Sequence, residues 1–206
     1  MADRKLEAVI FDFGNVICNF DVSLFIAGLS RKSGRTPDEL RVVMPGINTL
    51  AVQYETGTVT SDQFFERLCA LAGITISRDD FIHAYTGIFS PIAESFALVR
   101  ALKQTHKLGL LSNTNEWHYL RCIRPLDIFP LFDAVTLSFE VGAMKPSPAT
   151  YNDMLRKLRL PPEECAYIDD MQENVDAAAQ LGLRAVRFVD PEQLRTALHQ
   201  LGVLTR

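Results

Sequence analysis

The chain has 206 residues, of which 48% are hydrophobic, and its formal net charge at pH 7 is −4. This length and composition allow one large domain, or one core with an inserted module, to form a substantial hydrophobic interior. The absence of a long basic run argues against nucleic acid as a partner, and no apolar segment is long enough to cross a membrane.

The N-terminal region predicts a first β-strand and not a signal peptide, because Asp12 and Gly14 interrupt the apolar stretch early. Residues 8–11 form a continuous apolar run, which is typical of a strand buried on both faces of a parallel sheet. Asp12 follows at the carboxyl end of that strand, where open α/β sheets collect ligands and catalytic groups. The position predicts a nucleophile or metal ligand, and a carboxylate that caps the next element is the alternative.

The four cysteines are far apart in the sequence and show no paired spacing: they are Cys18, Cys69, Cys122 and Cys165. This pattern predicts reduced thiols and excludes a zinc-binding motif or a disulfide framework. We therefore expect a cytoplasmic protein.

Residues 19–88 are predicted to form a helical cap that contains no strand. Apolar residues recur at helical spacing in four segments, which are Val22–Ser33, residues 37–44, Ser61–Ala72 and Arg78–Thr86. Gly46 is expected to break the second of these helices.

From residue 89 onward strands and helices alternate. The predicted strands are residues 108–111, 134–137, 165–168 and 184–189, and the predicted helices are residues 90–104, 148–158, 174–181 and 192–201. Repeated strand–helix units predict a parallel sheet with helices on both faces. The expected fold is a three-layer α/β/α Rossmann-like core, residues 1–18 and 89–206, with the cap inserted after the first strand.

Polar groups follow three of the predicted strands: they are Asp12, Ser112 with Asn113, and Asp169 with Asp170. Lys145 lies in a loop just before a helix. Because the carboxyl ends of parallel strands meet at one edge, these groups are expected to converge there.

This set of groups suits phosphoryl transfer. A carboxylate such as Asp12 can attack phosphorus and form an aspartyl-phosphate, while carboxylates and carbonyls can hold Mg²⁺. Ser112 and the amide of Asn113 can donate hydrogen bonds to phosphate oxygens, and Lys145 can offset the negative charge.

In these motifs the chain resembles hydrolases of the haloacid dehalogenase (HAD) superfamily. The matching segments occur in the family's order and are Asp-Phe-Gly-Asn-Val at 12–16, Leu-Ser-Asn at 111–113, Lys-Pro at 145–146, and Ile-Asp-Asp at 168–170 with Asn174. The resemblance covers nearly the whole chain. Within the superfamily the first two motifs and Tyr-Glu-Thr-Gly at 54–57 are most similar to the α-D-glucose-1-phosphate phosphatase-like subgroup.

The resemblance implies roles for individual residues. Asp12 would be the nucleophile and a Mg²⁺ ligand, the backbone carbonyl of Gly14 a second ligand, and Asp170 the carboxylate ligand. Asp169 would be a ligand through water or a partner of Lys145, which would itself be catalytic and bind phosphate.

Gly14 departs from the commoner family pattern. At this position most phosphatases of the family carry a second Asp that protonates the leaving group and then activates water. A general acid or base contributes roughly 10²–10⁴-fold. Its loss implies a slow enzyme, a good leaving group such as an anomeric phosphate, or a substitute, for which Glu55 and Asp21 are candidates.

The sequence thus predicts a Mg²⁺-dependent phosphatase that hydrolyses a small phosphomonoester through an aspartyl-phosphate on Asp12, with a sugar phosphate as substrate by resemblance. Its partner would be a small-molecule phosphate ester, and its state a monomer or weak homodimer. Two alternatives stay open: a 2-haloacid dehalogenase, which attacks carbon without Mg²⁺, and a catalytically impaired binding protein. The acidic pair Asp169–Asp170 favours the phosphatase over the dehalogenase.

Overall fold

The computed structural model describes residues 5–204. Its strands are β1 (Ala8–Phe11), β2 (Cys18–Phe20), β3 (Phe89–Pro91), β4 (Lys107–Ser112), β5 (Ala134–Leu137), β6 (Cys165–Asp169) and β7 (Arg184–Arg187). Five of them form a parallel sheet in the order β5-β4-β1-β6-β7. Because β1 lies between β4 and β6, Asp12 follows the central strand at the carboxyl edge of the sheet.

Ten helices accompany the strands within the described residues. They are α1 (Val22–Ser33), α2 (Pro37–Glu55), α3 (Ser61–Ala72), α4 (Arg78–Thr86), α5 (Ala93–Leu102), α6 (Glu116–His118), α7 (Ser138–Val141), α8 (Pro148–Leu158), α9 (Gln172–Gln180) and α10 (Pro191–Gln200). Short helical turns at Tyr119–Ile123, Phe129–Leu131 and Pro162–Glu164 complete the connections.

Alternate residues of β1 point to opposite faces of the sheet. Val9 and Phe11 pack in the hydrophobic cluster to which α5 and α10 contribute, whereas Ala8 and Ile10 pack in the cluster to which α8 and α9 contribute. Helices therefore cover both faces, and the predicted three-layer α/β/α fold is confirmed.

The four helices of the cap, α1–α4, enclose a hydrophobic cluster of their own, in which Phe64, Leu68 and Phe81 are fully buried. Local signals define the helix ends. Thr36 and Thr60 each accept a hydrogen bond from the backbone amide three residues on, and the side chain of that residue bonds back in each case.

The predicted break at Gly46 is wrong, because α2 continues through Pro45 to Glu55. A proline inside a helix costs about 3 kcal/mol or more. Buried Leu40, Ile47 and Leu50 lie along this helix, and each such side chain gains roughly 1.5–3 kcal/mol when it leaves water. Burial of the apolar face thus outweighs the interruption.

The expectation that the cap region contains no strand is also wrong at its start. β2 and β3 pair antiparallel where the chain leaves and re-enters the core, and the rings of Phe20 and Phe89 lie 5.5 Å apart. The helix predicted from residue 90 consequently begins at Ala93. Three-residue strands are too short to produce a periodic pattern. The division into residues 1–18 with 89–206 and residues 19–88 stays a prediction; β2 crosses its first boundary and β3 begins at its second.

Cys18, Cys69, Cys122 and Cys165 are free thiols, and two of them, Cys18 and Cys165, are buried. Within residues 5–204, no helix combines the length and the apolar character needed to span a membrane.

Candidate active site

Asp12 is held firmly at the end of β1. Its backbone amide donates to the carbonyl of Ile168 at 2.9 Å, and only 8% of the residue is exposed. Burial raises the pKa of its carboxyl group to about 7, an effect that the neighbouring Lys145 opposes. Whether this carboxylate is ionised therefore depends on the cations around it.

Lys145 is a buried cation between two carboxylates. Its Nζ lies 2.6 Å from Oδ1 of Asp12 and 2.7 Å from Oδ2 of Asp169, and it donates to the carbonyl of Leu111 at 3.3 Å. Burial alone would lower the pKa of this lysine, but the two carboxylates outweigh it and raise that pKa. The ammonium is thus kept protonated and keeps Asp12 in place.

Asn113 positions the loop that carries Lys145. Its side-chain amide donates to the backbone carbonyl of Lys145 at 3.1 Å, and its side-chain oxygen accepts from the backbone amide of Lys145 at 2.7 Å. The loop continues through a cis Lys145–Pro146 peptide bond. Sequence reasoning assigned the amide of Asn113 to phosphate binding and missed this side-chain clamp.

Asp169 is fully buried and has both carboxylate oxygens engaged. Besides Lys145, it accepts hydrogen bonds from the hydroxyl of Tyr167, from the backbone amide of Met171 at 2.9 Å and from the side chain of Asn174 at 3.0 and 3.2 Å. Asp169 is therefore a partner of Lys145. Sequence reasoning missed Tyr167, which its position two residues before Asp169 on β6 could have indicated, because the two side chains share a face of the strand.

The acidic cluster fits a divalent cation. Carboxylate oxygens of Asp12, Asp169 and Asp170 lie within 4.8 Å of one another, and Lys145 pairs with the first two of these residues. Asp170 is half-buried and accepts one hydrogen bond from Nδ2 of Asn15 at 3.0 Å, so it retains coordinating capacity. The buried Oδ1 of Asn174 has no hydrogen-bond partner in the described chain and could accept from a metal-bound water. These all-oxygen donors are those that Mg²⁺ prefers.

Ser112 lies at the carboxyl end of β4, next to this cluster. It is 3% exposed, and among the described residues its hydroxyl makes only a long contact of 3.4 Å, with the carbonyl of Asn113. The hydroxyl can therefore turn toward a phosphate oxygen. The backbone amide of Thr114, two residues further on, donates to Oγ of Ser138 at 2.8 Å and is therefore not available to a phosphate oxygen.

Gly14 faces an open space. Apart from its chain neighbours, no atom of residues 5–204 would lie within 4 Å of a Cβ built on it. Crowding at the Cβ position therefore does not explain the missing side chain.

Of the two proposed substitutes, only Glu55 lies at the site. Glu55, at the end of α2, lines the same cavity as Asp12 and Gly14, and burial raises the pKa of its carboxyl group to about 7. Asp21 is exposed and caps α1 by accepting from the amide of Ser23 at 2.8 Å, so it does not contribute.

The end of α2 is fixed to the core beside Glu55. The hydroxyl of Tyr54 accepts from the backbone amide of Trp117 at 3.2 Å, and Gly57 lies against the carbonyl of Phe139. Trp117 packs with Tyr54 in the aromatic cluster of the cap. Glu55 is thereby held over the carboxyl edge of the sheet.

The acidic cluster opens into a cavity of about 450 Å³ between the core and the cap. Asp12, Ser112, Asn113, Lys145, Asp170 and Asn174 line its core side, and residues of β2, α1, α2 and α4 line the other side. This volume is in the usual range of small-molecule sites, roughly 300–1,000 Å³.

Comparison with known proteins agrees with this geometry. The family described as haloacid dehalogenase-like hydrolase matches residues 6–182. A D-ribitol-5-phosphate phosphatase from Bacteroides thetaiotaomicron is 25% identical over 190 residues, which cover 86% of this chain and 89% of that protein. A sesquiterpene phosphatase from Aspergillus oryzae is 28% identical over 153 residues, covering 72% and 77%. A HAD family enzyme from B. thetaiotaomicron, solved as a magnesium complex, superposes with a TM-score of 0.79 at 21% identity, covering 90% of this chain and 94% of that one.

Proposed function

Because the chain belongs to the haloacid dehalogenase-like hydrolase family, we propose that it is a Mg²⁺-dependent phosphatase that cleaves a small phosphomonoester through an aspartyl-phosphate on Asp12. The observation that carries this proposal is the buried ion pair of Lys145 with Asp12, directly beside the carboxylate of Asp170.

In the first step a carboxylate oxygen of Asp12 attacks the phosphorus atom. The bond from phosphorus to the ester oxygen breaks, and that oxygen takes a proton from Glu55. Lys145 holds Asp12 in position and offsets the charge that develops on the phosphoryl oxygens, while Ser112 and the amide of Asn113 donate to them.

Asp12, Asp170 and the backbone carbonyl of Gly14 would hold the Mg²⁺ ion. When bound, the ion supplies positive charge that neutralises the incoming phosphate and offsets the negative charge of the acidic cluster.

In the second step a water molecule attacks the phosphorus atom of the aspartyl-phosphate. Glu55, now ionised, takes a proton from this water, and the bond from phosphorus to Asp12 breaks to release inorganic phosphate and the free carboxylate. A pKa of about 7 at Glu55 suits a group that gives and takes protons near neutral pH.

The substrate is open between two kinds of leaving group. The subgroup resemblance makes a sugar phosphate one candidate, and the relative named D-ribitol-5-phosphate phosphatase is compatible with it. The relative named sesquiterpene phosphatase brings in an apolar leaving group. A substrate panel should therefore contain both.

The test is phosphate release from p-nitrophenyl phosphate and this panel, with Mg²⁺ or EDTA, by wild type and Asp12→Asn. We expect release that requires Mg²⁺ and is lost in the variant. Halide release from a 2-haloacid in EDTA, without phosphate release, would establish the dehalogenase instead. Phosphate binding without turnover of any ester would indicate the binding protein.

A further inference from the structure

The cavity wall that faces Asp12 from the cap side is apolar. Side chains of β2, the cap and β3 form it, among them Phe25, Met44, Ile47, Ala51, Ile88 and Phe89. Hydroxyl groups of a leaving group placed against this wall would lose water without gaining partners, which costs free energy for each group buried.

The few polar groups of this wall are mostly engaged already. The hydroxyl of Tyr85 accepts from Nδ2 of Asn115 at 3.0 Å. In His118, Nδ1 lies 3.1 Å from the same Asn115 nitrogen, and Nε2 lies 3.1 Å from the carbonyl of Tyr85. Glu55 and the exposed Asn48, the polar side chains of α2 that line the cavity, remain together with the hydroxyl proton of Tyr85, too few for a polyhydroxylated chain.

Charge restricts the leaving group as well. Among the described residues that line the cavity, Lys145 is the only cation, and Asp12 and Asp169 already hold it. A second phosphate or a carboxylate on the leaving group would find no cation and would face Glu55. The wall therefore disfavours diphosphates and phosphorylated acids.

The mouth of the cavity is apolar too. Phe20, Val22, Val52 and Met171 line it, and each of these side chains is between 42% and 49% exposed. Exposed apolar residues that adjoin a cavity mark a binding surface more often than scattered ones do. Here they extend the apolar wall outward, so a chain longer than the cavity would still find apolar contact.

We propose that the leaving group is an uncharged, largely apolar alcohol, so that the substrate is the monophosphate of a hydrophobic alcohol and not a sugar phosphate. This inference rests on the proposed function for the position of the phosphate. The phosphate lies at Asp12 and Lys145, and the carbon chain lies along α1 and α2 toward Val52.

Affinity for n-alkylphosphonates tests this class directly. These compounds keep a phosphate-like head group and differ only in the length of the alkyl chain. Phosphorus is bonded directly to carbon, so they contain no ester bond that a phosphatase could hydrolyse. With Mg²⁺ present, calorimetry should show Kd falling about fourfold for each added CH₂, or about 250-fold from ethyl- to hexylphosphonate. A polyhydroxylated phosphonate with a carbon chain of the same length should bind more weakly than hexylphosphonate.

Two variants on the same helix locate the effect. Val52→Asp places a charge at the mouth of the cavity. It should reduce the ratio of hexyl- to ethylphosphonate affinity by about tenfold, which corresponds to the affinity contributed by somewhat fewer than two CH₂ groups. Val42→Asp changes a valine that is 80% exposed and does not line the cavity, and should leave the ratio unchanged. Because both compounds carry the same phosphonate head group, repulsion between that group and the new carboxylate affects both affinities equally and cancels in the ratio.

The outcomes separate this inference from the proposed function. Equal affinity along the series, or tighter binding of the polyhydroxylated compound, would overturn the apolar class even if phosphate esters are hydrolysed. A strong dependence of Kd on chain length that Val52→Asp weakens would support the apolar class of leaving group. This holds even if p-nitrophenyl phosphate is not hydrolysed and the phosphatase proposal fails. An equal reduction of the hexyl-to-ethyl affinity ratio by Val52→Asp and Val42→Asp would overturn the assignment of this wall as the binding site of the carbon chain.

Discussion

Nζ of Lys145 lies 2.6 Å from Oδ1 of Asp12, and both groups are almost completely removed from solvent. An ion pair in this setting cannot be broken from one side without leaving a buried charge unpaired. The same contact that would orient the nucleophile is thus a structural element of the sheet edge, and activity and stability are coupled there.

Replacing Lys145 by Met should therefore lower both the stability and the activity of the protein. We expect a loss of about 3–5 kcal/mol in the free energy of unfolding, because Asp12 and Asp169 lose their common partner. The kcat for p-nitrophenyl phosphate should fall by about 10²–10³-fold. Urea unfolding and steady-state kinetics measure the two effects.

Lys32→Met is the matched control, because Lys32 pairs with Asp80 at 2.8 Å on the surface, where the two side chains are 50% and 40% exposed. It should cost less than about 1 kcal/mol and leave kcat unchanged. Similar losses in the two lysine variants would contradict the special role of Lys145.

Glu55→Gln should affect substrates according to their leaving group. An alkoxide needs a proton when it departs, so kcat for an alkyl phosphate should fall by about 10²–10⁴-fold. p-Nitrophenolate leaves without one, so the formation of the aspartyl-phosphate from p-nitrophenyl phosphate should change little. Single-turnover kinetics with both esters make the comparison, and an equal effect on both would argue against proton donation by Glu55.

Gly14→Asp should restore proton transfer to the Glu55→Gln variant, because a Cβ at position 14 would meet no neighbouring atom of residues 5–204. We expect the double variant to regain at least about tenfold in kcat on the alkyl phosphate, part of what a general acid contributes. Gly14→Asn in the same background has the same size without the proton and should give no gain. A gain with Asn equal to that with Asp would point to a steric effect.

The pH dependence of stability should report the burial of Glu55. Its pKa is raised from 4.5 to about 7 in the folded state, so the folded protein binds more protons than the unfolded chain between these values. The contribution of Glu55 is therefore fully present below pH 4.5 and is lost as the pH rises to about 7. Relative to Glu55→Gln, wild type should lose roughly 1–3 kcal/mol over this range. A difference in the free energy of unfolding between the two proteins that stays constant with pH would contradict the raised pKa of Glu55.

Gly57→Ala tests the junction that holds Glu55 over the site. Both Gly57 and Gly34 have positive φ, 69° and 74°, but only at Gly57 would a Cβ collide with a backbone atom, the carbonyl oxygen of Phe139. Gly34→Ala should cost about 1 kcal/mol from backbone strain alone. Gly57→Ala should cost more and also lower kcat, because the end of α2 must move from the core. Thermal unfolding and kinetics on the two variants check this, and equal effects would contradict it.

Strong local signals explain why much of the fold was predictable. Helices α1, α3 and α4 have the predicted bounds because capping residues, such as Thr60 before α3, mark their ends. The sheet followed from apolar runs that end in polar residues, and its parallel order brings Asp12, Lys145 and Asp169 together.

The errors have physical causes that a single sequence does not display. Helix α2 passes Pro45 because of burial against the rest of the cap, which depends on tertiary contacts. The antiparallel pair of β2 and β3 depends on contact between residues 18–20 and 89–91, which are far apart in the chain. The clamp of Asn113 on Lys145 likewise joins residues 32 positions apart, and the apolar cavity wall comes from separate helices whose inward faces only the fold defines.

Covalent transfer of the phosphoryl group to Asp12 is tested most directly by acid-quenching the enzyme during turnover of p-nitrophenyl phosphate with Mg²⁺ and mapping its peptides by mass spectrometry. We expect one phosphoryl group on the peptide that contains Asp12, absent with EDTA and absent in Asp12→Asn. Mg²⁺-dependent turnover by wild type with the phosphoryl group on another residue, or undiminished turnover by Asp12→Asn, would contradict the assignment of Asp12 as the nucleophile.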